Sequence, residues 1–171
     1  MSDFAKFIRN VPDFPEPGIS FKDITPLLGN GAVFYAAVEV FANYYKYKVV
    51  DVIVGIESRG FIFASAVAHR LGVGFVPVRK KGKLPYDTYQ VTYELEYGND
   101  TLTIHQDAFP KGSRVLICDD LLATGGTLDA TVELVEKLDA EIVGIALLIE
   151  LTELNGREKL EDLDIFSLIK Y

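Results

Sequence analysis

VLICDDLLATGGT, running from Val115 to Thr127, is the stretch on which the reading of this chain turns. Val115 to Cys118 read as a buried strand, Asp119 and Asp120 stand at its end, and Ala123-Thr124-Gly125-Gly126-Thr127 makes a small polar turn. Helical spacing begins at Thr127 and continues to Leu138. A strand, a glycine turn and a helix together offer free backbone N–H groups and the positive end of a helix dipole, which suits a phosphate. The hydroxyls of Thr124 and Thr127 add two donors. Carboxylates at a strand end can accept hydrogen bonds from vicinal sugar hydroxyls or face a divalent cation, and adjacent strand residues diverge, so the two need not share one task. Taken alone, an aspartate here more often caps a turn. The glycine turn beside it shifts the balance to a ligand. No Walker A loop is involved, because Gly55-Ile56-Glu57-Ser58-Arg59-Gly60 is followed by Phe61 and Ile62 rather than by lysine and a hydroxyl residue.

Outward from this stretch the pattern repeats. Val49 to Ile56 reads as a strand, Gly60 to Leu71 as a helix, Gly74 to Val78 as a short strand, Arg114 to Cys118 as a strand, and Glu141 to Leu151 as a long apolar strand. Val33 to Tyr47 is apolar at helical spacing. Near-continuous apolar strands alternating with helices predict an α/β fold, an open, mainly parallel twisted sheet flanked by helices, with ligands at the carboxyl ends of the strands. Glu57-Ser58-Arg59-Gly60 repeats the strand, polar turn and helix theme, and Arg59 could hold a second anionic group bidentately. Most single arginines are merely solvated or salt-bridged; only its position at a strand end argues otherwise.

Two segments depart from the rhythm. Pro12, Pro15, Pro17, Gly18 and Pro26 forbid a continuous helix between Val11 and Pro26 and predict a braced loop. From Tyr86 to Gln106 polar and apolar residues alternate about a Gly98-Asn99-Asp100 turn, which predicts a β-hairpin. The basic stretch Arg79 to Pro85 precedes it. A hairpin on such a hinge reads equally as a mobile lid or as an edge ribbon of the sheet.

Composition narrows the function. The 171 residues fit one domain, and 17 basic against 25 acidic residues leave a net charge of −8, which repels nucleic acid and anionic membranes at long range. A single cysteine, Cys118, permits no internal disulfide and fits a reducing compartment, and the N-terminus lacks a secretory apolar region, so a cytoplasmic location is expected. The longest apolar run, Ile142 to Ile149, is too short to span a bilayer. What fits is a small ligand with a phosphate at one end, a diol in the middle and a second anionic group beyond.

With these parts in place, Val115 to Thr127 resembles the signature of the type I phosphoribosyltransferases. Phe14 to Leu28, Glu57 to Phe61, Val78 to Pro85, Tyr93 to Gly98 and Gly156 to Leu160 are similar, in order and spacing, to the adenine-using branch of that family over nearly the whole chain. The resemblance implies transfer of a phosphoribosyl group from phosphoribosyl pyrophosphate to adenine, giving AMP and pyrophosphate in purine salvage, with Mg²⁺ held mainly through the substrate. It implies one domain over 1–171, with a hood at 1–30, a lid at 79–107 and the binding motif at 115–127, and a homodimer. By motif, Ala123, Thr124, Gly125, Gly126 and Thr127 would grip the 5′-phosphate, Asp119 and Asp120 the ribose hydroxyls, and Arg59, with Glu57 and Ser58, the pyrophosphate side. Lys80, Lys83 and Tyr97 would assist from the lid, and Glu96 matches the family's acid/base. Phe21, Lys22 and Leu151 would hold adenine. Lys22 stands where some members carry arginine, and Thr103 where many carry glutamate, so Thr103 receives no catalytic part. Two rivals stay open: a transferase for another purine, and a non-enzymatic sensor of phosphoribosyl pyrophosphate. The sensor calls for a basic surface and an appended nucleic-acid-binding segment, and the sequence offers neither.

Overall fold

The computed structural model describes residues 3–95 and 98–171. In chain order it forms β1 (Arg9–Pro12), β2 (Ser20–Asp23), α1 (Thr25–Gly29), α2 (Gly31–Tyr45), β3 (Val52–Ile56), α3 (Gly60–Leu71), β4 (Gly74–Lys80), β5 (Thr88–Leu95), β6 (Gly98–His105), β7 (Arg114–Leu122), α4 (Gly126–Glu136), β8 (Glu141–Glu150) and β9 (Ile165–Lys170). Seven strands make the central sheet in the order β5-β6-β4-β3-β7-β8-β9. The pairs β4/β3, β3/β7, β7/β8 and β8/β9 are parallel, and the β5–β6 hairpin joins the β4 edge antiparallel.

The buried middle explains the apolar runs. Every residue of β3 is buried, because helices or the hairpin cover both faces of the sheet. Burial of a Val or Ile side chain contributes about 1.5–3 kcal/mol, so Val52, Ile53, Val54 and Ile56 make this strand a main anchor of the core. One face packs on α2 and α3 through Phe41, Phe63, Ala64 and Val67. The other packs on α4 and the hairpin through Leu128, Leu134, Val135, Val91, Leu102 and Ile104. Cys118 is fully buried within β7, and burial pushes its thiol up, so it behaves as a small core residue.

The structure moves several boundaries read from sequence. β7 runs four residues past Cys118, so Asp119 and Asp120 lie inside the strand rather than beyond its end. Their pairing with β8 extends to Leu122. Gly98, Asn99 and Asp100 belong to β6 and pair with Leu95, Glu94 and Tyr93, so they are not the hairpin turn. The connecting residues 96 and 97 lie outside the described residues. The proline-braced segment holds the short ribbon β1–β2, and Pro26 sits at the start of α1, where its missing N–H costs nothing. β9 was not anticipated: its alternating residues form an edge strand beside β8. At the end of α2 the tyrosines differ, with Tyr45 buried, Tyr44 stacked on Phe166 and Tyr47 86% exposed. Among the described residues no helix is long and apolar enough to cross a membrane.

Candidate active site

Sheet order reverses between β3 and β7, one leading outward to β4 and the other to β8. Their carboxyl ends therefore open a crevice at the switch point. Two cavities fill it. The first, about 390 Å³, is lined by Glu57, Ser58 and Arg59 after β3, and by Asp119, Asp120 and the whole of Ala123–Thr127 along and after β7. The second, about 610 Å³, is lined by Gly18–Lys22, by Leu151, Glu153 and Leu154 after β8, and by Tyr171. Phe21, Leu121 and Ala123 line both. The structure thus gathers the residues expected at phosphate and sugar in one cavity, and Phe21, Lys22 and Leu151 in its neighbour.

Backbone close to contact shapes the Ala123–Thr127 turn. Gly125 precedes α4 with φ +84°, a conformation that disfavours any side chain, and a Cβ there would lie 2.5 Å from the carbonyl oxygen of Gly156. Gly60 opens α3 against β7, where a Cβ would strike Asp119 Oδ1 and lie 3.2 Å from its Cα. The two helices can therefore aim their N-termini into one crevice. The hairpin also reaches it: Tyr93 Oη is 3.5 Å from Thr127 Oγ1.

The charged groups are unevenly partnered. Asp119 and Asp120 are 7% and 6% exposed. Burial pushes both carboxyls upward, and for Asp119 the neighbouring Asp120 charge adds to the effect, while Arg59 pulls Asp120 back. Asp119 Oδ1 accepts from the Asp120 N–H at 2.9 Å. Arg59 Nη2 stands 2.7 Å from Asp120 Oδ2, yet off the line of a hydrogen bond, so that buried oxygen has charge contact and no donor. A buried acceptor without a donor calls for one, and a ligand hydroxyl supplies it. Arg59 also donates from Nη1 to the Lys22 carbonyl at 3.2 Å and lies over the Phe21 ring at 4.8 Å. From the first cavity it thus reaches two residues that line the second, a contact that sequence could not reveal.

Glu57 faces the basic segment after β4 as well as the crevice. Its side chain is 6% exposed. Oε1 accepts from the Lys80 N–H at 2.6 Å, and Oε2 from Lys83 Nζ and Arg79 Nη2 at 3.2 Å each. Burial opposes its charge, but these hydrogen bonds outweigh burial and hold the carboxyl below its ordinary range. Lys80 Nζ pairs with Asp100 at 2.8 Å. Neither Lys80 nor Lys83 lines the crevice here; Lys80 pairs with Asp100 and Lys83 with Glu57. Lys22 Nζ is engaged too, with Asn10 Oδ1 at 2.7 Å and over the Tyr171 ring at 4.3 Å, so its carbonyl rather than its ammonium faces the site. Glu96 and Tyr97 lie outside the described residues. Sequence reasoning gave Tyr93 and Gly156 no role beyond their place in the motifs and passed over Tyr171; the places of all three depend on contacts between distant segments.

Comparison with known proteins agrees with this geometry. A family model described as phosphoribosyl transferase domain matches residues 27–170. The chain is 55% identical over 169 residues to the adenine phosphoribosyltransferase of Symbiobacterium thermophilum, covering 99% of each. It superposes with a TM-score of 0.96 on the adenine phosphoribosyltransferase of Thermoanaerobacter pseudethanolicus, at 52% identity over 99% of this chain and 98% of that one. The Saccharomyces cerevisiae adenine phosphoribosyltransferase, complexed with an imino-altritol bisphosphate and adenine, superposes at 0.92 with 41% identity over 98% and 99% of the two chains. By this identity across almost all of its residues, the chain belongs to the phosphoribosyltransferase family, in its adenine phosphoribosyltransferase branch.

Proposed function

We propose that the two abutting cavities bind phosphoribosyl pyrophosphate and adenine, and that the chain joins them at their shared wall to give AMP and pyrophosphate. The observation that carries this is the junction itself: one cavity has anion-binding turns and two buried carboxylates, the other aromatic and aliphatic walls, and they share Phe21, Leu121 and Ala123. A sugar with its 5′-phosphate in the Ala123–Thr127 turn and its hydroxyls on Asp119 and Asp120 would present C1 toward that junction. Support comes from the yeast relative, whose complex pairs a bisphosphate iminosugar with adenine.

The bond from C1 to the pyrophosphate oxygen breaks as the bond from a base nitrogen to C1 forms. Positive charge gathers on the ring and negative charge on the leaving group, so clamped anions and excluded water lower the barrier. Arg59, Ser58 and the turn after β3 flank the leaving side. Phe21 and Leu151 hold the base flat, and the backbone of the hood reads its edge. The proton released from the base nitrogen goes to Glu96, on the strength of its motif. Such a carboxylate is worth roughly 10²–10⁴-fold, so Glu96→Gln should lower kcat by about that factor; unchanged turnover would remove it from the mechanism.

Magnesium fits as an ion carried by the substrate. Asp119 and Asp120 give the cavity two carboxylates able to face it. Bound there, it would offset the charge of the pyrophosphate. A homodimer in the cytoplasm completes the reading, and sedimentation giving a one-chain mass would remove the dimer. The decisive experiment supplies Mg²⁺, phosphoribosyl pyrophosphate and, separately, adenine, hypoxanthine, guanine and xanthine. AMP formed from adenine alone is expected. Turnover of another base would overturn the base assignment, and tight binding without turnover would favour a sensor.

A further inference from the structure

Another segment closes on the phosphate turn from the far side. After β8 the chain turns through Thr152–Leu154 and enters a short 3-10 helix, Gly156–Leu160. Gly156 is buried against Gly125, and a Cβ on Gly156 would lie 3.0 Å from the Gly125 nitrogen. Three residues on, Lys159 Nζ stands 4.0 Å from where a Cβ on Gly126 would sit, over the first residue of α4. The segment is fixed by its own ion pair: Arg157 donates to Glu150 at 2.5 and 2.8 Å and to the Ile165 carbonyl at 3.2 Å. Leu160, the next residue along, is buried in the core.

The other cations around the crevice are committed. Arg59 lies on Asp120, Lys83 on Glu57 and Lys80 on Asp100. Among the described residues Lys159 has no carboxylate within ion-pair distance. A helix terminus supplies about half a positive charge, which leaves most of a phosphate dianion uncompensated. That deficit matters in a chain of net charge −8, with two buried carboxylates in the same cavity. We infer that Lys159 is the cation of the 5′-phosphate site, its ammonium pairing with the phosphate that the Ala123–Thr127 turn holds. The inference rests on the phosphoribosyl-transfer reading above and adds to it a binding residue 32 positions beyond the turn.

The test replaces Lys159 with methionine, a change at an exposed position that leaves the core intact. AMP binding is measured by calorimetry, and KM for adenine is measured at saturating phosphoribosyl pyrophosphate. Loss of one charge-assisted hydrogen bond should weaken AMP about tenfold to a hundredfold, leave KM for adenine within about twofold, and be largely restored in Lys159→Arg. AMP binding by K159M that stays within twofold of the unsubstituted protein would overturn the role of Lys159. So would equal weakening toward AMP and adenine, which marks general damage to the crevice. An unsubstituted protein that binds no AMP would overturn the phosphoribosyl-transfer reading and this inference with it.

Discussion

The two cavities that meet at Phe21, Leu121 and Ala123 are assembled in opposite ways. The side proposed for the phosphate is almost one unbroken run, Asp119 to Leu128, completed by Glu57 to Arg59. The side proposed for the base draws on four separate pieces of chain: Gly18–Lys22, the end of β7, the loop after β8 and Tyr171. A run is shaped by its own backbone, through strand pairing on one side and a helix start on the other. A composite depends on side chains and on the contacts that bring its pieces together. Backbone changes should therefore break the first, and side-chain changes the second.

The largest effect is expected at Gly125. Its φ of +84° costs about 1–2 kcal/mol for a residue with a side chain, and the added methyl would collide with the Gly156 carbonyl. Gly125→Ala should lose stability by at least that strain and bind AMP more than about tenfold more weakly, as the turn and the Gly156–Leu160 segment move apart. Urea unfolding and AMP titration measure the two losses. Retained AMP affinity would mean that the turn is not shaped by its backbone.

Arg59 sharpens the comparison because it lines the first cavity and touches Phe21 and Lys22, which line the second. From sequence it is a phosphate-side residue; the structure adds the Lys22 carbonyl and the Phe21 ring to its contacts. Arg59→Met should raise KM for phosphoribosyl pyrophosphate and for adenine together, each by about tenfold, the worth of one charge-assisted hydrogen bond. A change confined to phosphoribosyl pyrophosphate would return Arg59 to the phosphate side alone. Phe21→Ala should do the reverse. Loss of one aromatic face from a base costs about 1–3 kcal/mol, so KM for adenine rises roughly tenfold while KM for phosphoribosyl pyrophosphate changes little. Steady-state kinetics with each substrate varied in turn decides both cases.

The same contrast explains what was legible beforehand. Asp119 to Thr127 could be read because its chemistry is contiguous: apolar strand, carboxylates, glycine turn and helix follow one another along the chain. The parallel core could be read for a similar reason, since β3 and β8 are uninterrupted apolar runs that only a sheet covered on both faces can bury. Tyr171 could not, nor could the role proposed for Lys159, although its motif was visible, because each comes to the crevice across a gap in sequence that only packing closes. Arg59 was placed at a strand end, yet its contact with the hood depends on β1–β2 lying across the crevice mouth. The hairpin remained ambiguous because period two describes a lid and an edge ribbon equally. The structure seats it in the core through Val91, Leu102 and Ile104 and joins it to β4.

The smallest effect, and the one most specific to the composite side, concerns Glu150 at the end of β8. Its side chain is only 5% exposed. Arg157 donates two hydrogen bonds to it; burial works against the charge, Ser167 supports it, and the carboxyl is held at about 2 instead of 4.5. A depressed carboxyl stabilises the fold fully above its unfolded value and loses that contribution as pH falls through the folded one. The window for this group therefore runs from about 4.5 down to about 2. Glu150→Gln should be less stable than the unsubstituted protein at neutral pH, and the gap between their urea midpoints should close as pH is lowered through that window. A gap that stays constant would show that the pair holds its segment by shape rather than charge. Because the next residue, Leu151, lines the base cavity and donates its N–H to the Leu122 carbonyl at 2.9 Å, a real loss at Glu150 should also loosen adenine before it touches phosphate. That order of failure is what a site built from one run and one composite requires.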